Sequence, residues 1–107
     1  MTEKYTLLVG LKDKDTKVQT IQTLEAYKVI MNVIKPYTEG ATIYEAMGYY
    51  KHDDGTMVEE KSLHIDILFF DDADANKKAH AIVDTIKTIL NQESVAVTHS
   101  IVDSDLW

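Results

Sequence analysis

Cysteine is absent from this chain, proline occurs once and glycine four times. Without a thiol there is no disulfide, no thiolate nucleophile and no cysteine-ligated zinc or iron–sulfur centre, and the composition suits a reducing compartment. So few breakers leave little room for long irregular segments or low-complexity linkers. No apolar run approaches the roughly 18 residues that a membrane span needs. The polar start, Met1 to Lys4, leads straight into a strand pattern, with no signal-peptide character. Positive charge is scarce too: 11 basic residues against 18 acidic ones leave a net charge of −7. Nucleic acid and anionic membranes attract a positive field, so neither is expected as a partner. The expectation is a cytosolic protein whose acidic surface serves solubility or meets a basic protein partner.

What is present is enough apolar material for one core. The chain has 107 residues, of which 45% are hydrophobic. A chain of this size buries roughly two-thirds of its unfolded surface, which predicts a single domain over residues 1–107. Tyr5 to Leu11 is rich in β-formers and ends in the charged run Lys12 to Asp15, a strand followed by a loop. From Thr16 the period changes. Val18, Ile21, Leu24, Ala26, Tyr27, Ile30, Met31 and Ile34 recur at helical spacing, with Thr16 and Gln19 placed for a capping box and Pro36 stopping the helix near Lys35. Asp71, Asp72 and Asp74 open a second helix, with a stripe from Ala75 through Ala79, Ile82 and Ile86 to Leu90. Ser94 to Val102 returns to alternation. The order strand, helix, hairpin, helix, strand predicts a ferredoxin-like α+β sandwich, βαββαβ, with both helices on one face of a four-stranded antiparallel sheet. Right-handed crossovers then place the first and third strands in the centre.

The hairpin between Tyr37 and Phe70 predicts its own register. If Asp53-Asp54-Gly55 forms a three-residue loop with Gly55 at positive φ, His52 faces Thr56 and paired positions sum to a constant, so Ile43 meets Ile65 and Tyr44 meets His64. A two-residue Asp54-Gly55 turn would set odd positions against even ones, which a half-buried sheet resists. A bulge is allowed near Glu59 and Glu60. Odd residues, from Ala41, Ile43, Met47 and Tyr49 to Leu63, Ile65, Ile67 and Phe69, then face the helices. Even residues make an open face that includes Leu8, Tyr44, Tyr50, His64, Leu68 and Phe70. That face is too apolar to leave to water, which predicts a homodimer formed by packing two sheets about a twofold axis. The apolar end Leu106-Trp107 is a second way to cover it, within one chain or across a dimer.

Between Tyr37 and Ser62 the residues resemble a family of small bacterial domains of unknown function. Its strand pair carries an aromatic, a glycine, a threonine, a small residue, a second glycine, an aromatic, a turn glycine, an acidic residue and a serine. Those positions are Tyr37, Gly40, Thr42, Ala46, Gly48, Tyr50, Gly55, Glu60 and Ser62. Family members tend to have tryptophan where Tyr50 stands, and many carry an export signal that this sequence does not show. The resemblance implies a ferredoxin-like fold and no particular activity.

Chemistry is less explicit. His64 and Asp66 share a face, Tyr44 lies across from His64 and Thr42 across from Asp66, so His64, Asp66 and Tyr44 are the candidates for acid–base work. The commoner reading of such a trio is a polar patch that satisfies its own hydrogen bonds in an interface. His99 reads as a partly buried structural histidine on the last strand. His52-Asp53-Asp54 is explained by turn chemistry, and His80 with Asp84 is a helical pair without a third convergent ligand, so neither set predicts a metal site. No glycine cluster opens a helix and no nucleophile elbow occurs, so no cofactor is called for. The favoured expectation is a non-enzymatic acidic binding protein, a homo-oligomer whose open face serves self-association or captures a small ligand or protein. Two alternatives stand beside it: a small enzyme with a pocket around His64 between paired sheets, and a phage- or mobile-element-encoded inhibitor of a basic host surface.

Overall fold

A computed structural model describes every residue from Met1 to Trp107. Its elements are β1 (Thr2–Gly10), α1 (Thr23–Ile34), β2 (Ala41–Lys51), β3 (Met57–Phe70), α2 (Ala75–Ile89) and β4 (Ala96–Val102). The strands form one antiparallel sheet in the order β2-β3-β1-β4, with β3 and β1 in the centre as the crossover rule requires. The odd residues of the central strands, Tyr5, Leu7 and Val9 with Leu63, Ile65, Ile67 and Phe69, are buried. They pack against Ala26, Ile30 and Ile34 of α1 and Ala75, Ala79, Ile82 and Ile86 of α2 in one cluster.

The hairpin takes the three-residue loop. Ile43 pairs with Ile65 and Tyr44 with His64; the His52 amide donates to the Thr56 carbonyl at 2.8 Å, and Gly55 has φ +88. Pairing continues without interruption through Tyr49 and Glu59 to Lys51 and Met57, so there is no bulge at Glu59 and Glu60. Both remain in phase, and Glu60 joins the even face.

Three expectations give way to the structure. The first helix does not begin at Thr16. Residues 12–22 form a loop closed by a bridge between Lys12 and Gln19, and α1 starts at Thr23 after Gln22. The Asp13 side chain wins this contest, accepting hydrogen bonds from the Asp15 and Thr16 amides at 2.8 and 2.9 Å and leaving Val18 and Leu24 exposed. Such Asx turns offer the backbone an alternative to a helical start. The strand phase of Met47 and Tyr49 is right but their burial is not: they are 68% and 73% exposed. β3 has 14 residues and spans about 45 Å, whereas the 12 residues of α1 span about 18 Å. The hairpin therefore outruns the helix layer. His99 is exposed rather than partly buried; β4 is an edge that the helices do not reach, and His99 lies over Tyr5, at 4.5 Å between rings, with a 2.9 Å contact to Glu3.

Asp13 also ties the loop to the end of α2, because Asn91 Nδ2 donates to Asp13 Oδ2 and to Asp15 Oδ2, both at 2.8 Å. The Asn91 amide, followed by the amides of Thr16 and Asp15, holds the Asp13 carboxyl down to about 2 from its ordinary 3.8. A depressed carboxyl stabilises the fold above its unfolded value, and that stabilisation is lost as the pH falls through the folded value. Urea unfolding between about pH 4 and about pH 2 is expected to show an acid limb that flattens in Asp13→Asn. An unchanged limb would remove Asp13 from the account.

Candidate functional site

At one end of the sheet, the end of β2, the start of β3, the end of β1 and the start of β4 come together. Three strand spacings separate the two edges by about 14 Å in a flat sheet. Yet His52, just after β2, lies 3.9 Å from Glu93, just before β4. The sheet is therefore curled toward its even face at this end. The curl encloses a cavity of about 340 Å³.

Its floor is Leu8 and Gly10 of β1, Ser62 and His64 of β3 and Ala96 of β4. One wall is Gly48, Tyr49, Tyr50 and Glu60 of the projecting hairpin, and the opposite wall is Gln92, Glu93 and Ser94. Two devices create the space. Gly48 has no side chain where a Cβ would meet only Ser62 Oγ at 4.0 Å. Gly10 leaves room for a carboxylate, since a Cβ there would lie 2.7 Å from the Glu60 carboxyl carbon. Glu60 is 6% exposed, and its Oε2 accepts a hydrogen bond from the Lys12 amide at 2.8 Å.

The second wall is positioned by the way α2 ends. Asn91 adopts φ +48, the Gln92 amide donates to the Lys87 carbonyl at 3.0 Å and the Asn91 amide to Thr88 at 3.4 Å. This is a Schellman stop with asparagine in the left-handed position. It turns Gln92 inward, where Nε2 donates to the carbonyls of Lys12 at 2.9 Å and Leu90 at 3.2 Å. The lining carries two carboxylates, Glu60 and Glu93, and two lysines, Lys12 and Lys14, whose ammonium groups pair with neither of them. Partial burial, then the charge of Glu60 and a hydrogen bond to it, then the charge of Glu93, raise the Tyr50 phenol above its ordinary 10, which keeps it a neutral donor.

Of the residues singled out in the sequence, Leu8, Tyr50 and His64 line this cavity. Tyr44, Leu68 and Phe70 lie on the flatter remainder of the same face, where Tyr44 and Phe70 are both 46% exposed. The acid–base trio is adjacent but not joined by hydrogen bonds: Asp66 accepts from Thr6 Oγ1 at 2.7 Å, and Tyr44 stacks on His64 with ring centres 5.0 Å apart. His52 is turned toward Glu93, and no group of three or more histidine, aspartate or glutamate side chains is arranged to hold a metal ion. Gly10, Gln92 and Glu93 are not among the candidates read from the sequence, and Glu60 stands there only as a position of the family resemblance and of the allowed bulge. The even phase of Glu60, two and four residues before Ser62 and His64, was the available signal.

Fold and cavity together define a small α+β sandwich of ferredoxin-like topology with a ligand-sized recess on the sheet face that the helices leave open. The chain belongs to DUF3574, a family of proteins of unknown function, which matches residues 4–105. No curated protein matches the sequence. Among solved structures, a phage SAM lyase in complex with S-methyl-5'-thioadenosine superimposes with a TM-score of 0.76 at 22% identity, covering 92% of this chain and 80% of that one. The periplasmic divalent cation tolerance protein CutA from Archaeoglobus fulgidus has a TM-score of 0.66 at 10% identity, covering 99% and 88% of the two chains. These likenesses establish the fold. No helix is long and apolar enough to cross a membrane.

Proposed function

We propose that this protein is a cytosolic, self-associating binding protein of one domain that holds a small nucleoside-type ligand on its open sheet face. The cavity carries this reading, because its volume falls within the range of about 300–1,000 Å³ typical of small-molecule sites. Tyr50 and His64 offer flat rings and Leu8 an apolar surface for a base, and Ser62, Gln92 and Glu93 offer polar groups for a sugar. The likeness to a lyase solved with S-methyl-5'-thioadenosine supports a nucleoside as the class of ligand. Self-association is supported by Tyr44 and Phe70, large apolar side chains each 46% exposed on this face.

Calorimetric titration with S-adenosylmethionine and S-methyl-5'-thioadenosine is expected to show one site per chain, with a dissociation constant on the order of 10 μM for the better ligand. Sedimentation is expected to give at least twice the chain mass of 12.1 kDa. Absence of saturable binding by either compound removes the ligand reading, and a monomer at micromolar concentration removes self-association. A second reading is an enzyme acting on the same class of ligand, favoured by the same likeness. Chromatography of the titration mixtures separates the two, since an enzyme converts S-adenosylmethionine to a product and a binding protein returns it intact.

A further inference from the structure

We infer that the cavity selects a ligand carrying the fixed positive charge of a sulfonium, and that Glu60 is the residue that reads the charge. This rests on the small-ligand reading above and says which member of a ligand class is preferred.

A carboxylate as buried as Glu60 is costly unless paired. Its partners are neutral, the Lys12 amide and the Tyr50 phenol, and none of the ion pairs in the structure includes it. Lys12 and Lys14 also line the cavity without approaching Glu60 or Glu93 as counter-ions. The chain has no arginine, the side chain best shaped to neutralise a buried carboxylate. Glu93 adds a second negative charge at the rim, met only by His52 at 3.9 Å. The carboxylate is held in this place by construction: Gly10 is bare beneath it, and the Lys12 amide fixes one oxygen. The Tyr50 phenol, raised first by burial and then by the charge of Glu60, stays a neutral donor to that carboxylate and does not neutralise it. A bound cation would neutralise that charge, whereas a neutral isostere would leave it as it stands.

The test uses two compounds that differ by one methyl group and one charge, S-adenosylmethionine and S-adenosylhomocysteine. The intact protein is expected to bind the sulfonium about 30-fold more tightly, equivalent to about 2 kcal/mol. Glu60→Gln removes the charge and Gly10→Ala keeps it but pushes the carboxylate aside. Because the obstructing atoms in Gly10→Ala belong to the end of a flexible side chain, the fold is expected to persist, as an unchanged thermal transition would verify. Both variants are expected to bring the ratio close to one. Equal binding by the intact protein, or a preference that survives both variants, overturns the inference while leaving the small-ligand reading in place. Failure of both compounds to bind overturns the inference, and the small-ligand reading falls with it only if S-methyl-5'-thioadenosine also fails to bind.

Discussion

Replacing Ile65 by alanine is expected to destabilise the protein by about 2–5 kcal/mol. Ile65 is fully buried in the central strand β3, between Leu7 of β1 and Ile43 of β2, on the face that meets both helices. Removing its branched end takes away the transfer free energy of three carbons and leaves a void that the surrounding strands cannot close without breaking their ladders. Domains of this size are stable by only about 5–15 kcal/mol. The thermal midpoint should therefore fall by at least about 8 °C, at roughly 4–8 °C per kcal/mol. Denaturant unfolding checks the result, and a loss below about 1 kcal/mol would mean that the centre of the sheet collapses around the gap, contrary to its packing.

The largest functional effect is expected from Gly48→Phe, which should weaken ligand binding at least about 100-fold while leaving the fold intact. Gly48 lies in β2 opposite Glu60 with ordinary extended backbone, since Gly55 is the only glycine with positive φ. A side chain there meets no backbone and enters the cavity directly. The strand itself should be slightly more stable, because glycine is a poor strand residue and an aromatic a good one. Calorimetry combined with a melting curve distinguishes the outcomes: retained affinity would show that the recess is not where the ligand sits.

The sheet was legible because a period of two, a single Asp-Asp-Gly turn and a half-buried face leave one register consistent with all three. The start of α1 was not, because Val18 and Ile21 satisfy helical spacing equally well whether or not Asp13 captures the preceding amides. Nor does apolar alternation say how far a neighbouring helix reaches, so Met47 and Tyr49 were assigned to a core that stops short of them. Half of the candidate site was visible as the even face of the hairpin, in Tyr50 and His64. Glu60 was hidden by the allowance for a bulge, and Gln92 and Glu93 by the turn at Asn91, whose position just past the last apolar residue of α2 was a readable stop signal. Gly10 drew no notice because its importance lies in a contact with a residue 50 positions away.

The projecting hairpin divides the cavity into parts of unequal stiffness. Beyond the pair Gly10 and Ser62, β3 is laddered to β2 alone and bonds to the other side only through the Leu11 amide on Lys61 and the Lys12 amide on Glu60. The wall bearing Gly48, Tyr50 and Glu60 is therefore largely a two-stranded ribbon, while the floor at Leu8 and His64 is central sheet. A ribbon of that kind is marginal by itself and opens at a small fraction of the global unfolding free energy. Its outward swing would exchange the Lys12–Glu60 and His52–Glu93 contacts, and the Leu11–Lys61 backbone bond, for water. For a ligand held as proposed, entry and residence time would be set by the ribbon and equilibrium shape selection by the floor, so its rates and its specificity would be adjustable by different residues.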